Sequence, residues 1–262
     1  MELGLKDKVA LVTAASKGLG KASALAFAKE GAKVAICARS ELIDSAADEI
    51  RREGNGEVLA VRADVTNQSD IDRLVEQTLE SYGQIDILVI NAGGPPSGEF
   101  LDFTPEDWEA AVHLTLMSAV RLCYAVLPHM LARNSGSIVA IESFVVKQPL
   151  KNLILANSIR LAVIGMLKSM ANELGTEGIR INSINPTFTF TERIEQILTD
   201  RAAKSGLTIQ EEAAKVVADI PLGRMGKVEE FGRTMAWLAS PAASFIHGQA
   251  LMFDGGIIKT PL

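Results

Sequence analysis

The chain predicts one α/β domain, a doubly wound parallel sheet of about seven strands with helices on both faces. Three observations lead there. Short runs rich in Val, Ile and Ala are apolar from end to end rather than alternating, the mark of strands covered on both sides. Helical stretches separate consecutive runs along the whole chain, so each strand is followed by a crossover rather than a hairpin. No Pro/Gly/Ser-rich linker, repeat or low-complexity tract divides the 262 residues, so the domain is read as 1–262.

Each element follows in order. Val9–Val12 runs into a glycine-containing turn and helix Gly20–Glu30, and Lys33–Cys37 is followed by helix Leu42–Arg52. Val58–Ala63 leads to helix Ile71–Ser81, where Ile71, Leu74, Val75, Thr78 and Leu79 share one face. Ile85–Ile90 and Ser137–Ile141 precede two long helices, Pro105–Arg133 and Asn152–Leu174. Both are apolar around most of their circumference, more than one sheet-facing stripe needs. A thick internal core would bury the excess. Association into a homo-oligomer, a dimer or homotetramer, is the favoured reading, because surfaces of this apolarity seldom stay exposed. Ile179–Ile184 and Ala250–Phe253 complete the strands, and between them Glu192–Ala218 is charged and helical with a break at Ser205-Gly206.

The formal net charge of -6 and the lack of a Lys/Arg-rich run argue against a nucleic-acid or anionic-membrane partner. Cys37 and Cys123 lie in apolar segments and read as buried thiols of a reducing compartment rather than as a disulfide or metal site. Val9–Val12 is too short for a signal h-region, and the apolar stretch Leu153 to Met170 carries Arg160 and Lys168, which argues against a membrane span. The expected location is the cytoplasm.

After the first strand comes Thr13-Ala14-Ala15-Ser16-Lys17-Gly18-Leu19-Gly20, leading into a helix. Glycines there let backbone approach a pyrophosphate, and a helix N-terminus offers free N–H groups and a favourable dipole. Alone this is a weak signal. Asp64 and Val65 end the third strand, and Asn91-Ala92-Gly93 follow the fourth. Pro221-Leu222-Gly223-Arg224, Gly248-Gln249 and Asp254-Gly255-Gly256 mark the C-terminal part. Together, in this order and spacing, these motifs resemble the short-chain dehydrogenase/reductases over about residues 5 to 256, and the whole chain most resembles 3-oxoacyl-[acyl-carrier-protein] reductases. The resemblance implies a Rossmann-type fold that binds a nicotinamide dinucleotide through Thr13, Ser16, Lys17, Gly18, Leu19, Gly20, Asp64, Val65, Asn91, Ala92 and Gly93. Pro186 and Thr191 would sit near the carboxamide and pyrophosphate, followed by a substrate lid over about 187–220. The family's first loop glycine is replaced by Ala14.

An NAD enzyme usually ends its second strand in an acid that binds the ribose 2′-OH. Here Ala38 stands at that position, with Arg39 next to it and Lys17 in the nearby loop. Two cations and no carboxylate suit a 2′-phosphate, so NADP(H) is expected in preference to NAD(H), the other reading being two solvated surface cations.

The family's catalytic tetrad is Asn, Ser, Tyr and Lys. Ser143 matches the Ser, but the matching positions for the others hold Thr115, Ala156 and Arg160. A slipped alignment does not rescue the tyrosine, since the chain has only Tyr82 and Tyr124, the latter expected to pack within its helix. The proton-relay positions are replaced while the hydride side is kept. Arg160 lies four residues from Ala156, on the same helix face, and is expected to reach the ribose hydroxyls. Lys147, Lys151, Glu142 and His113 are candidate substitute acids, but a solvated or structural role is favoured for each because no partner spacing supports catalysis, and strand alternation should turn Glu142 to the side opposite Ser143. Phe188 and Phe190 suggest either an apolar pocket wall or lid packing. The resulting expectation is an oxidoreductase moving hydride between NADP(H) and a small carbonyl or alcohol substrate, with Ser143 and Arg160 as catalytic residues. The alternative is a non-catalytic NADP(H)-binding sensor or assembly protein.

Overall fold

The computed structural model describes residues 2–54 and 56–260. Its strands are β1 (Val9–Val12), β2 (Lys33–Ala38), β3 (Val58–Arg62), β4 (Ile87–Ile90), β5 (Gly136–Ile141), β6 (Ile179–Pro186), β7 (Thr189–Phe190), β8 (Gly226–Lys227) and β9 (Ala250–Phe253). Seven form one sheet in the order β3-β2-β1-β4-β5-β6-β9, every neighbouring pair parallel, while β7 and β8 make a separate two-stranded ribbon. The doubly wound single-domain architecture expected from the apolar runs is therefore present. β1 lies between β2 and β4, so the crossovers after it diverge and open a crevice at the carboxyl ends of the strands.

Alternate residues of each strand feed two separate cores. Ala10, Val12, Val139 and Ile141 face Phe27 of α1 (Gly18–Lys29), Ile43 and Ile50 of α2 (Leu42–Glu53), and Phe231 and Met235 of a later helix over 228–239. Leu11, Leu88, Ile138 and Ala140 face the other side. There they meet Ile71 and Leu74 of α3 (Gln68–Tyr82) and residues of the two long helices.

The first long helix is not one regular helix. It consists of α4 (Pro105–Val112), a π-helical segment His113–Met117 and α5 (Ser118–Leu131), with Thr115 in the widened turn. The second is α6 (Ile154–Leu174). Each is long and apolar enough to cross a membrane by length and composition, yet each lies in the helical layer with one face sealed on the sheet. Leu122, Val126 and Met130 do this for α5, and Val163, Leu167 and Ala171 for α6. Tyr124 and Leu161 point outward and are exposed, so the expected packing of Tyr124 within the chain does not occur. The charged segment folds as α7 (Glu192–Ser205) and α8 (Ile209–Val217), parted at Gly206, whose φ of 74° ends α7. α9 (Val228–Ala239) completes the helices.

Candidate active site

A cavity of ≈ 1350 Å³ opens at the carboxyl ends of the strands, with the glycine loop at one end, Ser143 at the other and α7 along its rim. Its floor is tied together by one network. Asn91 N–H donates to Thr13 Oγ1 (2.9 Å), Thr13 Oγ1 donates back to Asn91 O (2.7 Å), and Asn91 Nδ2 donates to Ala14 O (3.1 Å). Thr13 is fully buried and does not line the cavity, so its place is behind the loop, fixing it to β4. Gly20 is also behind the lining: a Cβ there would lie 2.5 Å from Ala14 O and 2.8 Å from Asn91 Nδ2, so only glycine fits. Ala14 adopts φ 48°, a left-handed conformation that costs an L-residue about 1–2 kcal/mol. The turn geometry of the missing glycine is thus retained with the strain of a methyl group.

Ser16, Lys17, Gly18, Leu19, Arg39, Asp64, Val65, Asn91, Ala92, Gly93, Pro186 and Thr191 all line the cavity. Lys17 is the N-cap of α1 but makes no side-chain cap, leaving the first-turn N–H groups free for an anion. Thr191 caps α7, accepting from Ile194 N–H at 3.3 Å, and its methyl is 3.7 Å from where a Gly18 Cβ would be, so the lid begins against the glycine loop. Thr187 Oγ1 is buried with no partner among the described residues. The free N–H groups at the α1 N-terminus and the orphaned Thr187 hydroxyl, both in the cavity lining, together fit a dinucleotide.

Ala38 and Arg39, at the end expected to receive the ribose, line the cavity, as does Lys17 of the glycine loop. Arg39 is exposed, with Nη1 3.8 Å from Asp64 Oδ2, a loose pair worth little in water. Asp64 itself accepts from Thr66 N–H (2.9 Å) and Thr66 Oγ1 (2.8 Å). A third cation, Arg62, was missed by sequence reasoning. It is the β3 partner of Ala38, lines the cavity, and donates to Arg39 O (3.0 Å) and Glu41 Oε1 (3.1 Å). The signal was available in the strand register, which puts residue 62 beside residue 38.

At the other end, Ser143, Ala156 and Arg160 come together as expected. Ser143 Oγ accepts a long hydrogen bond from Val145 N–H (3.4 Å), and Ala156 opens the cavity wall. Glu142 lies on the side that strand alternation gives it, and it is buried rather than solvated. Alternation does turn it to the α6 side, with Ile138 and Ala140, but Arg160 enters from that side and the cavity wraps over the end of β5. Arg160 Nη1 donates to Glu142 Oε2 at 3.0 Å and weakly to Ile141 O at 3.4 Å. Arg160, expected to reach the ribose hydroxyls, is therefore held by a carboxylate. Burial pushes the Glu142 carboxyl up to about 7, although the Arg160 charge and hydrogen bond pull it down. Thr115 Oγ1 is buried with no partner among the described residues.

The other candidate acids are elsewhere. Lys147 and His113 are exposed and outside the lining, His113 Nδ1 lying 3.3 Å from Arg121 Nη2. Lys151 lines the cavity but faces Glu99 at 3.7 Å. Phe144, Leu150, Leu153, Phe188 and Met252 cluster with Ala156 as an apolar wall, whereas Phe190 is outside the lining and exposed.

A family model described as Enoyl-(Acyl carrier protein) reductase matches residues 13–258. The 3-oxoacyl-[acyl-carrier-protein] reductase of Thermotoga maritima is 36% identical over 258 residues, covering 97% of this chain and 99% of that protein. The protein of the same name from a Synechocystis species is 35% identical over 257 residues, covering 97% and 98%. Among solved structures, L-sorbose reductase from Gluconobacter frateurii, complexed with NADPH and L-sorbose, superimposes with a TM-score of 0.95 at 32% identity, covering 99% of this chain and 100% of that one.

Proposed function

Because this chain belongs to the short-chain dehydrogenase/reductase family of oxidoreductases, we propose that it moves a hydride between NADP(H) and a carbonyl or alcohol substrate. One observation carries the reading: a single cavity runs from the glycine loop and its cations to Ser143 and the apolar wall. The glycine loop and α1 N-terminus would hold the pyrophosphate, Asp64 and Val65 the adenine, and Thr191 with Pro186 the nicotinamide end. Bound there, the cofactor supplies or accepts the hydride. Ser143 would hold the substrate oxygen, and Phe144 and Phe188 would exclude water from its body. The test is NADPH consumption against a panel of ketones, quinones and β-ketoacyl thioesters. Tight NADPH binding without consumption of any would replace this reading with a non-catalytic cofactor binder.

Preference for NADP(H) rests on Arg39, Lys17 and Arg62 around Ala38. NADPH should bind more tightly than NADH by fluorescence titration, and Arg39→Ala should narrow the gap by about 1–3 kcal/mol, the scale of charged hydrogen bonds. Lys17 and Arg62 should preserve the remainder. Equal wild-type affinities would refute the preference.

The same proposal extends to assembly and location. Exposed Tyr124 on α5 and Leu161 on α6 continue apolar helix surfaces that a second copy would cover. Light scattering at micromolar concentration should give a dimer or tetramer mass, and a monomer would remove the inference. Cys37 and Cys123 are buried free thiols, which agrees with a cytoplasmic setting.

A further inference from the structure

We propose that Glu142 is the acid that exchanges protons with the ligands of this cavity, in place of the tyrosine that Ala156 replaces, with Arg160 as its counter-ion. The inference rests on the hydride-transfer reading above and names the proton donor that reading lacks.

Position is the first argument. Glu142 directly precedes Ser143 at the end of β5, and both line the cavity with Ala156. Of the other lining carboxylates, Asp64 sits at the far end beside Arg39, and Glu192 and Asp200 belong to the lid helix. Among the carboxylates that line this cavity, Glu142 is the one carried on β5 beside Ser143. Removing a phenol at residue 156 leaves room on the face of α6 that also presents Arg160, which is where Glu142 reaches.

The hydrogen-bond pattern is the second argument. Only Oε2 is engaged, by Arg160 Nη1 at 3.0 Å, and among the described residues no protein group donates to Oε1. One oxygen is thus anchored and the other is free for a substrate oxygen or a water. A purely structural buried pair would be expected to satisfy both oxygens.

The third argument is the balance of forces. Burial favours the neutral carboxyl and Arg160 favours the carboxylate, and the opposition brings it to about 7, where a general acid works best. Charge acting on it comes from Arg160 on α6; Thr115 from the π-helical segment is neutral, and Arg193 of α7 approaches Gly94 beside Arg160 rather than the carboxyl. Arg160 does not serve as the acid itself, because a guanidinium keeps its proton.

In the reductive direction the substrate carbonyl carbon accepts the hydride and its oxygen takes the proton of the Glu142 carboxyl, directly or through one water. The C=O π bond breaks, C–H and O–H bonds form, and the carboxylate left behind is held by Arg160 until solvent reprotonates it. Oxidation runs the same steps backwards, Glu142 accepting the proton.

Glu142→Gln keeps the shape and removes the exchangeable proton. With the best substrate of the carbonyl panel, kcat should fall roughly 10²–10⁴-fold while NADPH still binds. The wild-type reductive rate should decline as pH rises through about 7, the carboxyl value, and the variant should lose that limb. Glu142→Asp should recover part of the rate. A second measurement is independent of turnover: calorimetry of NADPH binding at pH 7 in buffers of different ionisation heat. The anionic cofactor raises the carboxyl pKa, so wild type should take up a fraction of a proton that Glu142→Gln does not. Unchanged kcat and pH profile in the variant would overturn the proposal, as would identical proton uptake in the two proteins. If wild type reduces nothing yet the uptake difference persists, the hydride-transfer reading falls while proton exchange by Glu142 stands.

Discussion

Arg160→Met should destabilise the protein modestly at pH 6 and by roughly 3–5 kcal/mol at pH 9, the cost of stranding one partner of a buried ion pair. The pH dependence follows from Glu142, whose carboxyl rises from the usual 4.5 to about 7 in the folded protein. A group with a raised folded pKa contributes stability that is complete below its unfolded value and is lost as pH rises through the folded one. Between 4.5 and 7 both wild type and variant fold with a protonated Glu142, so they lose stability in parallel. Their difference there is the lost hydrogen bond, about 1–2 kcal/mol. Above 7 the wild-type carboxyl ionises against Arg160 and its loss levels off. Without Arg160 the carboxyl must stay protonated, which costs a further ~1.4 kcal/mol per pH unit until its own higher pKa is reached. Urea denaturation at the two pH values measures this, and Arg160→Lys should recover most of the pH 9 loss. A difference that does not grow with pH would mean that Glu142 is not titrating beside Arg160.

That pair also shows where sequence reasoning reaches and where it stops. The strands were legible because Val9–Val12, Ser137–Ile141 and the rest are apolar on both sides and bounded by turn residues, a pattern only a covered parallel sheet needs. The glycine loop was legible because glycine is forced where the loop enters α1: a Cβ at Gly20 would strike Ala14 O and the Asn91 side chain behind the lining. The π-helical turn around Thr115 was not, since one shifted hydrogen bond leaves the apolar pattern almost unchanged. The partner of Glu142 was illegible for a different reason. The alternation rule correctly gave its side of β5, but a rule about strands says nothing of what a helix delivers to the same side. Arg160 becomes its partner only through the docking of α6 on β6, the strand beside β5. Arg62 was overlooked because pairing register, not residue order, brings it next to Ala38.

On the proposal that Glu142 is the acid, Thr115, Ala156 and Arg160 belong to one exchange of proton donors, and that proposal makes an expected result of its own. In a Glu142→Gln background, which lacks both acids, Ala156→Tyr with Arg160→Lys and Thr115→Asn should raise kcat/KM for an activated ketone by roughly 10²–10⁴, the worth of one positioned acid. The cavity has the opening, because Ala156 lines it and its neighbours Phe144, Leu153 and Phe188 form an apolar wall along which a ring can lie. The asparagine would occupy the site of the buried Thr115 hydroxyl, which has no partner among the described residues and so gives up no hydrogen bond there. With Glu142 retained, the same three changes should gain less over wild type. The carboxylate would hold the introduced lysine as it now holds Arg160, 3.0 Å away, and draw it from the phenol it should tune. Ser143→Ala should lower the rate in both backgrounds if Ser143 holds the substrate oxygen. Steady-state rates with NADPH affinity measured alongside separate the outcomes. A repaired variant that binds NADPH yet stays inert would show that Ser143 and the glycine loop no longer hold a hydride-transfer geometry, and the non-catalytic reading would then take over.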